Sequence, residues 1–88
     1  MEDKIIIKLI ENTLKDKIKS NPNYIRYSFY ELRVKYNLSE EDTAVFLNLS
    51  TIRLQNIGYR VYYTNQEYEY KGEKRIVTSN ELLVAIKK

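Results

Sequence analysis

The sequence predicts an α+β fold in which three helices lead into a β hairpin and a short final helix. Three observations support this prediction. Apolar residues recur at helical spacing near the amino terminus, two serines stand at the starts of two further helical patterns, and a tyrosine-rich segment with alternating polar residues follows Gly58. Because the chain has only 88 residues, we expect a single domain spanning residues 1–88.

The first helix is predicted over about residues 4–19. Asp3 can cap its start, and apolar side chains recur every four residues along it. The segment 20–23 contains Pro22, which cannot continue a helix, so the helix should end there. Residues 24–27 are aromatic and β-branched, which favours a short strand. The recurring apolar residues are Ile6, Ile10, Leu14 and Ile18.

The second helix is predicted over residues 29–36, with Ser28 as its cap. Leu32 lies at its centre and should be buried. Phe29 and Tyr36 flank Leu32 at helical spacing and are expected to pack beside it.

The third helix is predicted to run from a Ser39 cap to about Asn56. An acidic residue three positions after the serine resembles a capping box. Gly58 is well placed just past the carboxyl end, where helices favour glycine. At 100° per residue, one apolar stripe is expected to face the core. That stripe consists of Val45, Leu49 and Ile52.

From Tyr59 onward the pattern changes to strands, with turn candidates at residues 65–66 and 71–73. One long hairpin and a three-stranded meander both fit this segment. Residues 81–88 are predicted to form the final helix, whose closing lysines suit the negative end of a helix dipole. Because this helix would be apolar nearly all round, it offers a surface for homodimerisation.

The order helix, short strand, helix, helix, hairpin resembles the winged helix-turn-helix family of DNA-binding domains. The resemblance covers residues 4–78, and its most specific residues are Leu32, Leu38, the Ser39 cap and the segment 54–59. It implies that the helix at about 40–56 enters the major groove of double-stranded DNA and that the hairpin at 59–78 lies alongside as a wing. A transcriptional regulator of phage or plasmid type is the function expected from this resemblance.

Small and amide side chains recur along one face of the third helix. Asn and Gln can form two hydrogen bonds to adenine, and the methyl group of Thr or Ala can contact thymine. Such residues are also typical of the solvent-exposed face of any half-buried helix. The expected base-reading residues are Ala44, Asn48, Thr51 and Gln55. The expected phosphate contacts are Arg53, Arg33, Lys35, Lys71, Lys74 and Arg75.

The charge of the third helix supports a different interpretation. Its first turn carries Glu40, Glu41 and Asp42, against Arg53 alone, and acidic groups repel phosphates. The alternative is a protein-interaction module on the same scaffold, binding a host or partner protein without DNA. Leu47 and Leu54, off the predicted core stripe, would add an apolar contact strip. Exposed tyrosines would contribute to it, since Tyr62, Tyr63, Tyr68 and Tyr70 are too many to be buried together.

Composition argues against an enzyme. The chain has no His and no Cys, so the commonest general bases, nucleophiles and zinc ligands are missing, and we expect neither a metal nor another cofactor. No apolar run approaches the length of a membrane span, and the absence of cysteine suits a cytoplasmic protein. The net charge of +3 permits contact with a polyanion without demanding it.

Overall fold

The computed structural model describes all 88 residues and contains three helices and five strands. In chain order these are α1 (Asp3–Ser20), β1 (Tyr24–Ser28), a π-helix (Tyr30–Lys35), α2 (Glu40–Asn56), β2 (Tyr59–Tyr63), β3 (Glu67–Tyr70), β4 (Glu73–Ile76) and β5 (Glu81–Lys87). The predicted α+β class is confirmed.

Helix α1 and strand β1 form where the sequence predicts them, but the predicted Asp3 cap is wrong, because Asp3 is the first residue of α1 and no side chain caps the helix. Ile6, Ile10 and Leu14 are buried, and Ile18 packs against the same core. In β1 the alternation places Ile25 and Tyr27 in the core. The periodicities of four and of two were therefore sufficient signals for both elements.

The second helical segment is a π-helix and not the α-helix expected over residues 29–36. The Tyr36 amide donates to the carbonyl of Glu31, five residues back, at 2.9 Å. The predicted cap is confirmed, since the Ser28 hydroxyl accepts from the Glu31 amide at 3.1 Å. Leu32 is fully buried as predicted, but Phe29 points to solvent. Tyr36 packs against the core as expected, so the wider turn of the π-helix displaces only the Phe29 end from the helical phase assumed from the sequence.

Helix α2 begins and ends as predicted but buries a different face. The Ser39 hydroxyl accepts from the Asp42 amide at 3.0 Å, and Gly58 adopts a left-handed φ of +96° after the helix. The predicted stripe of Val45, Leu49 and Ile52 is wrong, because Val45 and Leu49 are only partly buried and Ile52 is exposed. The buried residues are Thr43, Phe46, Ser50 and Leu54.

Residues 81–87 form strand β5, so the predicted final helix is wrong. The homodimer contact predicted for that helix is therefore wrong as well. β5 lies at the centre of the sheet and is covered on both faces. A strand buried on both faces is apolar at consecutive positions and loses the alternation that identifies half-buried strands. Leu83, Val84 and Ala85 are all fully buried for this reason.

The strands form a three-stranded antiparallel sheet in the order β1-β5-β2 and a separate hairpin of β3 and β4. Neither the single long hairpin nor the meander is correct, because β2 pairs with β5 and not with β3. The hairpin turn at Lys71 and Gly72 is where the sequence predicts it. Both residues have positive φ, 53° and 78°, as a tight hairpin turn requires.

Two apolar clusters lie on opposite faces of the three-stranded sheet. The register of β5 directs Leu83 and Ala85 to the larger cluster, shared with the helices. Val84 and Ile86 belong to the smaller cluster, together with Tyr68 and Val77 from the hairpin segment. The molecule therefore has three layers: helices, sheet and hairpin.

Candidate nucleic-acid interface

The exposed face of α2 carries the polar residues that the sequence assigns to base reading. Ala44, Asn48 and Gln55 are exposed, and the amide groups of Asn48 and Gln55 make no hydrogen bond within the protein. Free amides on an exposed helix can donate and accept together, as pairing with an adenine edge requires.

The fourth residue of this face, Thr51, is partly buried and already bonded. Its hydroxyl donates to the Leu47 carbonyl at 2.8 Å and lies 2.5 Å from the Tyr63 hydroxyl. Because the threonine proton is used on the carbonyl, Tyr63 is the donor in the second contact. Thr51 can offer its methyl group to a ligand, whereas its hydroxyl is committed to holding β2 against α2.

The contact between Thr51 and Tyr63 brings the base of the hairpin segment to the polar face of α2. Here the chain leaves β2 at Thr64 and returns to β5 at Glu81, and the Thr64 hydroxyl donates to the Glu81 carbonyl at 2.5 Å. The Glu81 carboxylate accepts from the amide and hydroxyl of Thr78, each at 3.1 Å, and lies 3.7 Å from Arg26. This network fixes where the hairpin segment begins and ends.

The cationic residues predicted to bind phosphate are not brought together. Arg33 and Lys35 lie on the π-helix before α2, and the Arg33 Nε donates to the Leu38 carbonyl at 3.1 Å, beside the α2 start. Arg53 lies on the flank of α2 that faces α1, well away from Asn48 around the helix. Arg53 therefore does not adjoin the polar face.

The hairpin cations form a group of their own around one tyrosine. The Lys71 ammonium and the Arg75 guanidinium lie 5.4 Å and 5.5 Å from the centre of the Tyr70 ring. Arg75 also pairs with Glu73 at 3.3 Å, and Lys74 is exposed beside it. The hairpin covers the sheet face opposite the helices, so this group and the polar face of α2 are on different sides of the sheet.

Four strand tyrosines, Tyr24, Tyr62, Tyr68 and Tyr70, fill the space between sheet and hairpin. Their rings lie close together, with 5.1 Å between Tyr24 and Tyr70 and 5.6 Å between Tyr62 and Tyr68. Burial raises the pKa of Tyr24, as does its hydrogen bond to Tyr68. These rings lie on the outer face of the sheet, as the sequence suggests, but the hairpin covers them.

Other residues with exposed apolar surface are in places that the sequence does not predict. Leu54 is fully buried and Leu47 packs against the core, so these two residues do not form the apolar contact strip expected for a partner protein. Ile7 and Ile52 are exposed instead, together with Phe29, Tyr30 and Val34 near the π-helix. A helical phase set by the buried Phe46 would have revealed the exposure of Ile52.

Comparisons with protein-family models, with curated proteins and with solved structures found no match to this chain. None of the helices is long and apolar enough to cross a membrane. No three acidic side chains gather in an arrangement that could hold a metal ion.

Proposed function

We propose that this chain is a winged helix-turn-helix domain that binds double-stranded DNA, as a transcriptional regulator of phage or plasmid type would. The observation that carries the proposal is the exposed face of α2, on which Asn48 and Gln55 lie about two turns apart with unbonded amides. In this proposal α2 lies in the major groove and these two side chains contact base edges.

The succession of elements supports the same proposal. A helix, a short strand and two helical segments follow one another from α1 to α2, as in the order on which the resemblance to the family rests, and a hairpin of β3 and β4 follows after the additional strand β2. Arg33 and Lys35 supply positive charge beside the start of α2, where Glu40 and Glu41 would otherwise repel phosphate. The polar base of the hairpin segment, next to Tyr63, would then lie nearer the DNA than the hairpin tip.

The test is binding to duplexes selected from a random library, measured by fluorescence anisotropy at low salt. Asn48→Ala and Gln55→Ala should each weaken the selected complex by about 1–3 kcal/mol and relax the preference at one base pair. Asn12→Ala is the matched control, because Asn12 is also an exposed amide on a helix. Failure to enrich any sequence, with no complex at low salt, would exclude the proposal.

The salt dependence of the same complex locates the hairpin. If Lys71 and Lys74 contact phosphates, their substitution by alanine should reduce the slope of log affinity against log salt by about one for each residue. An unchanged slope would place the hairpin tip away from the DNA, as its packing on the far side of the sheet suggests.

A second function, binding of a partner protein, is favoured by the exposed side chains Phe29, Tyr30 and Val34. Aromatic residues are enriched at protein interfaces, and this group lies outside both apolar clusters of the fold. This function would be supported by a partner protein that co-purifies with the wild-type chain after nuclease treatment but does not co-purify with the Tyr30→Asp variant.

A further inference from the structure

The surface between α1 and α2 contains an apolar groove that the proposed DNA contacts do not use. Its floor and walls include Ile7 from α1 and Leu49 and Ile52 from α2, around a cavity of about 170 Å³. Ile7 is 44% exposed and Ile52 56% exposed, although both are large aliphatic side chains. Adjacent exposed aliphatic side chains of this kind are typical of surfaces that contact another apolar surface.

A second cavity, of about 390 Å³, continues the groove toward the carboxyl ends of both helices. Leu14 and Ile18 line it from α1, and Ile57 lines it from the end of α2. Because residues early in α1 face residues early in α2, and later residues face later ones, the two helices run in the same direction along the groove.

Two opposite charges stand where the two cavities meet, one on each helix. Glu11 on α1 and Arg53 on α2 line both cavities, so they lie at the same level along the groove. Neither forms an ion pair within the protein. The lining is about half apolar and also includes Lys15 on α1 and Asn56 on α2. One unpaired acid, Glu11, therefore stands on the α1 rim, level with the unpaired base Arg53 on the α2 rim.

We propose that a second copy of this chain covers the groove, related by a two-fold axis parallel to α1 and α2. Such an axis places α1 of one copy on α2 of the other. Since Glu11 and Arg53 lie at the same level, each Glu11 then meets the Arg53 of the partner, and both pairs form. Ile7 lies against Leu49 and Ile52 of the second copy in the same arrangement.

A two-fold axis across the helices would instead place each α1 on the partner's α1. Glu11 would then have no Arg53 opposite it, so charge complementarity selects the parallel arrangement. The dimer contact adjoins the polar face of α2, because Ile52 lies one helical turn after Asn48 on the same side of the helix. This inference depends on the α1–α2 surface alone and stands or falls independently of DNA binding.

Sedimentation equilibrium from micromolar to near-millimolar protein tests the proposal. The wild-type chain should dimerise, and Ile52→Glu should raise the dimer dissociation constant by more than about tenfold. Ile52 is exposed in the monomer, so this variant should still fold, which circular dichroism checks. Glu69→Lys, a charge reversal on the hairpin, should leave dimerisation unchanged.

Charge reversal at Glu11 and Arg53 tests whether these two residues pair between two copies of the chain or within one copy. Glu11→Arg and Arg53→Glu should each weaken the homodimer, because every cross-groove pair then joins like charges. A mixture of these two single variants should form a heterodimer at wild-type strength, since both pairs between copies are again opposite in sign. A wild-type chain that remains monomeric throughout, or a mixture that associates no better than its components, would overturn the proposal.

Discussion

The two faces of the three-stranded sheet are packed very differently. On the helix side, twelve buried residues from α1, α2, the π-helix segment and the sheet form one cluster. On the hairpin side only three residues are buried, and partly exposed tyrosines complete the layer. Strand β5 contributes to both. The difference indicates that the helices and sheet carry the stability of the fold, and that the hairpin is an added layer able to open separately.

The largest predicted effect is on the helix side. Phe46→Ala should lower the free energy of unfolding by about 3–5 kcal/mol, because Phe46 is fully buried and packs edge-on against Tyr27 with 5.0 Å between ring centres. Urea unfolding followed by circular dichroism measures this loss.

The matched substitution on the hairpin side is Tyr68→Ala. It should cost only about 1–2 kcal/mol of global stability, while amide exchange in β3 and β4 accelerates, since the hairpin can detach without unfolding the rest. Equal losses from both substitutions would show that the two faces form one cooperative unit.

Alkaline pH is expected to destabilise the protein, and it distinguishes the two faces. Burial raises the pKa of Tyr27 and of Tyr24 above the ordinary value of 10.0, so the fold favours their neutral forms. The stabilisation from neutral tyrosine is complete below pH 10 and decreases as the pH rises further. Fully buried Tyr27 contributes up to about 1.4 kcal/mol per pH unit to that decrease, and the more exposed Tyr24 contributes less because solvent screens it.

Phenylalanine substitutions show which face of the sheet is responsible for the loss of stability above pH 10. Tyr27→Phe should remove the contribution of one tyrosine from the slope of unfolding free energy measured above pH 10. Tyr24→Phe should remove less, because an opened hairpin already lets Tyr24 ionise. Equal changes would contradict separate opening of the hairpin.

The smallest predicted effect is an increase in the free energy of unfolding, whereas the alanine substitutions at Phe46 and Tyr68 lower it. Ser50 is fully buried, and its hydroxyl has no hydrogen-bond partner. Ser50→Ala should therefore raise the free energy of unfolding by about 1 kcal/mol. Ser39→Ala is the control, because it removes a bonded capping hydroxyl and should lower stability by about 1 kcal/mol. Thermal denaturation of both variants checks the two signs, and destabilisation by Ser50→Ala would indicate an unseen partner for the hydroxyl.

The sequence predicts local features well because their causes are local. The Ser39 cap, the Gly58 ending and the periodicity of α1 each depend on neighbouring residues, and each is confirmed. Pairing between distant strands has no comparable signal. The phase of α2 was missed because a buried polar residue, Ser50, occupies a core position that hydropathy assigns to solvent.

The same distinction applies to the candidate interface. That Asn48 and Gln55 share one face of α2 follows from helical spacing and could be predicted, whereas the exposure of that face depends on the phase of the helix. The separation of the hairpin cations from that face could not, because it results from the long-range packing of Tyr68 and Val77 on the outer side of the sheet. The contact of Tyr63 with Thr51 could not be predicted from the sequence either, because it depends on the pairing of β2 with β5.

The position of β5 has a consequence for biosynthesis. Strands β1 and β2 each bond to β5 and not to one another, so neither has its partner until residues 81–87 have left the ribosome. The nascent chain must therefore hold β1 unpaired while residues 29–80 are translated. A chain truncated before Glu81 would have its helices without the sheet that packs against them, and cellular proteases should degrade that product rapidly.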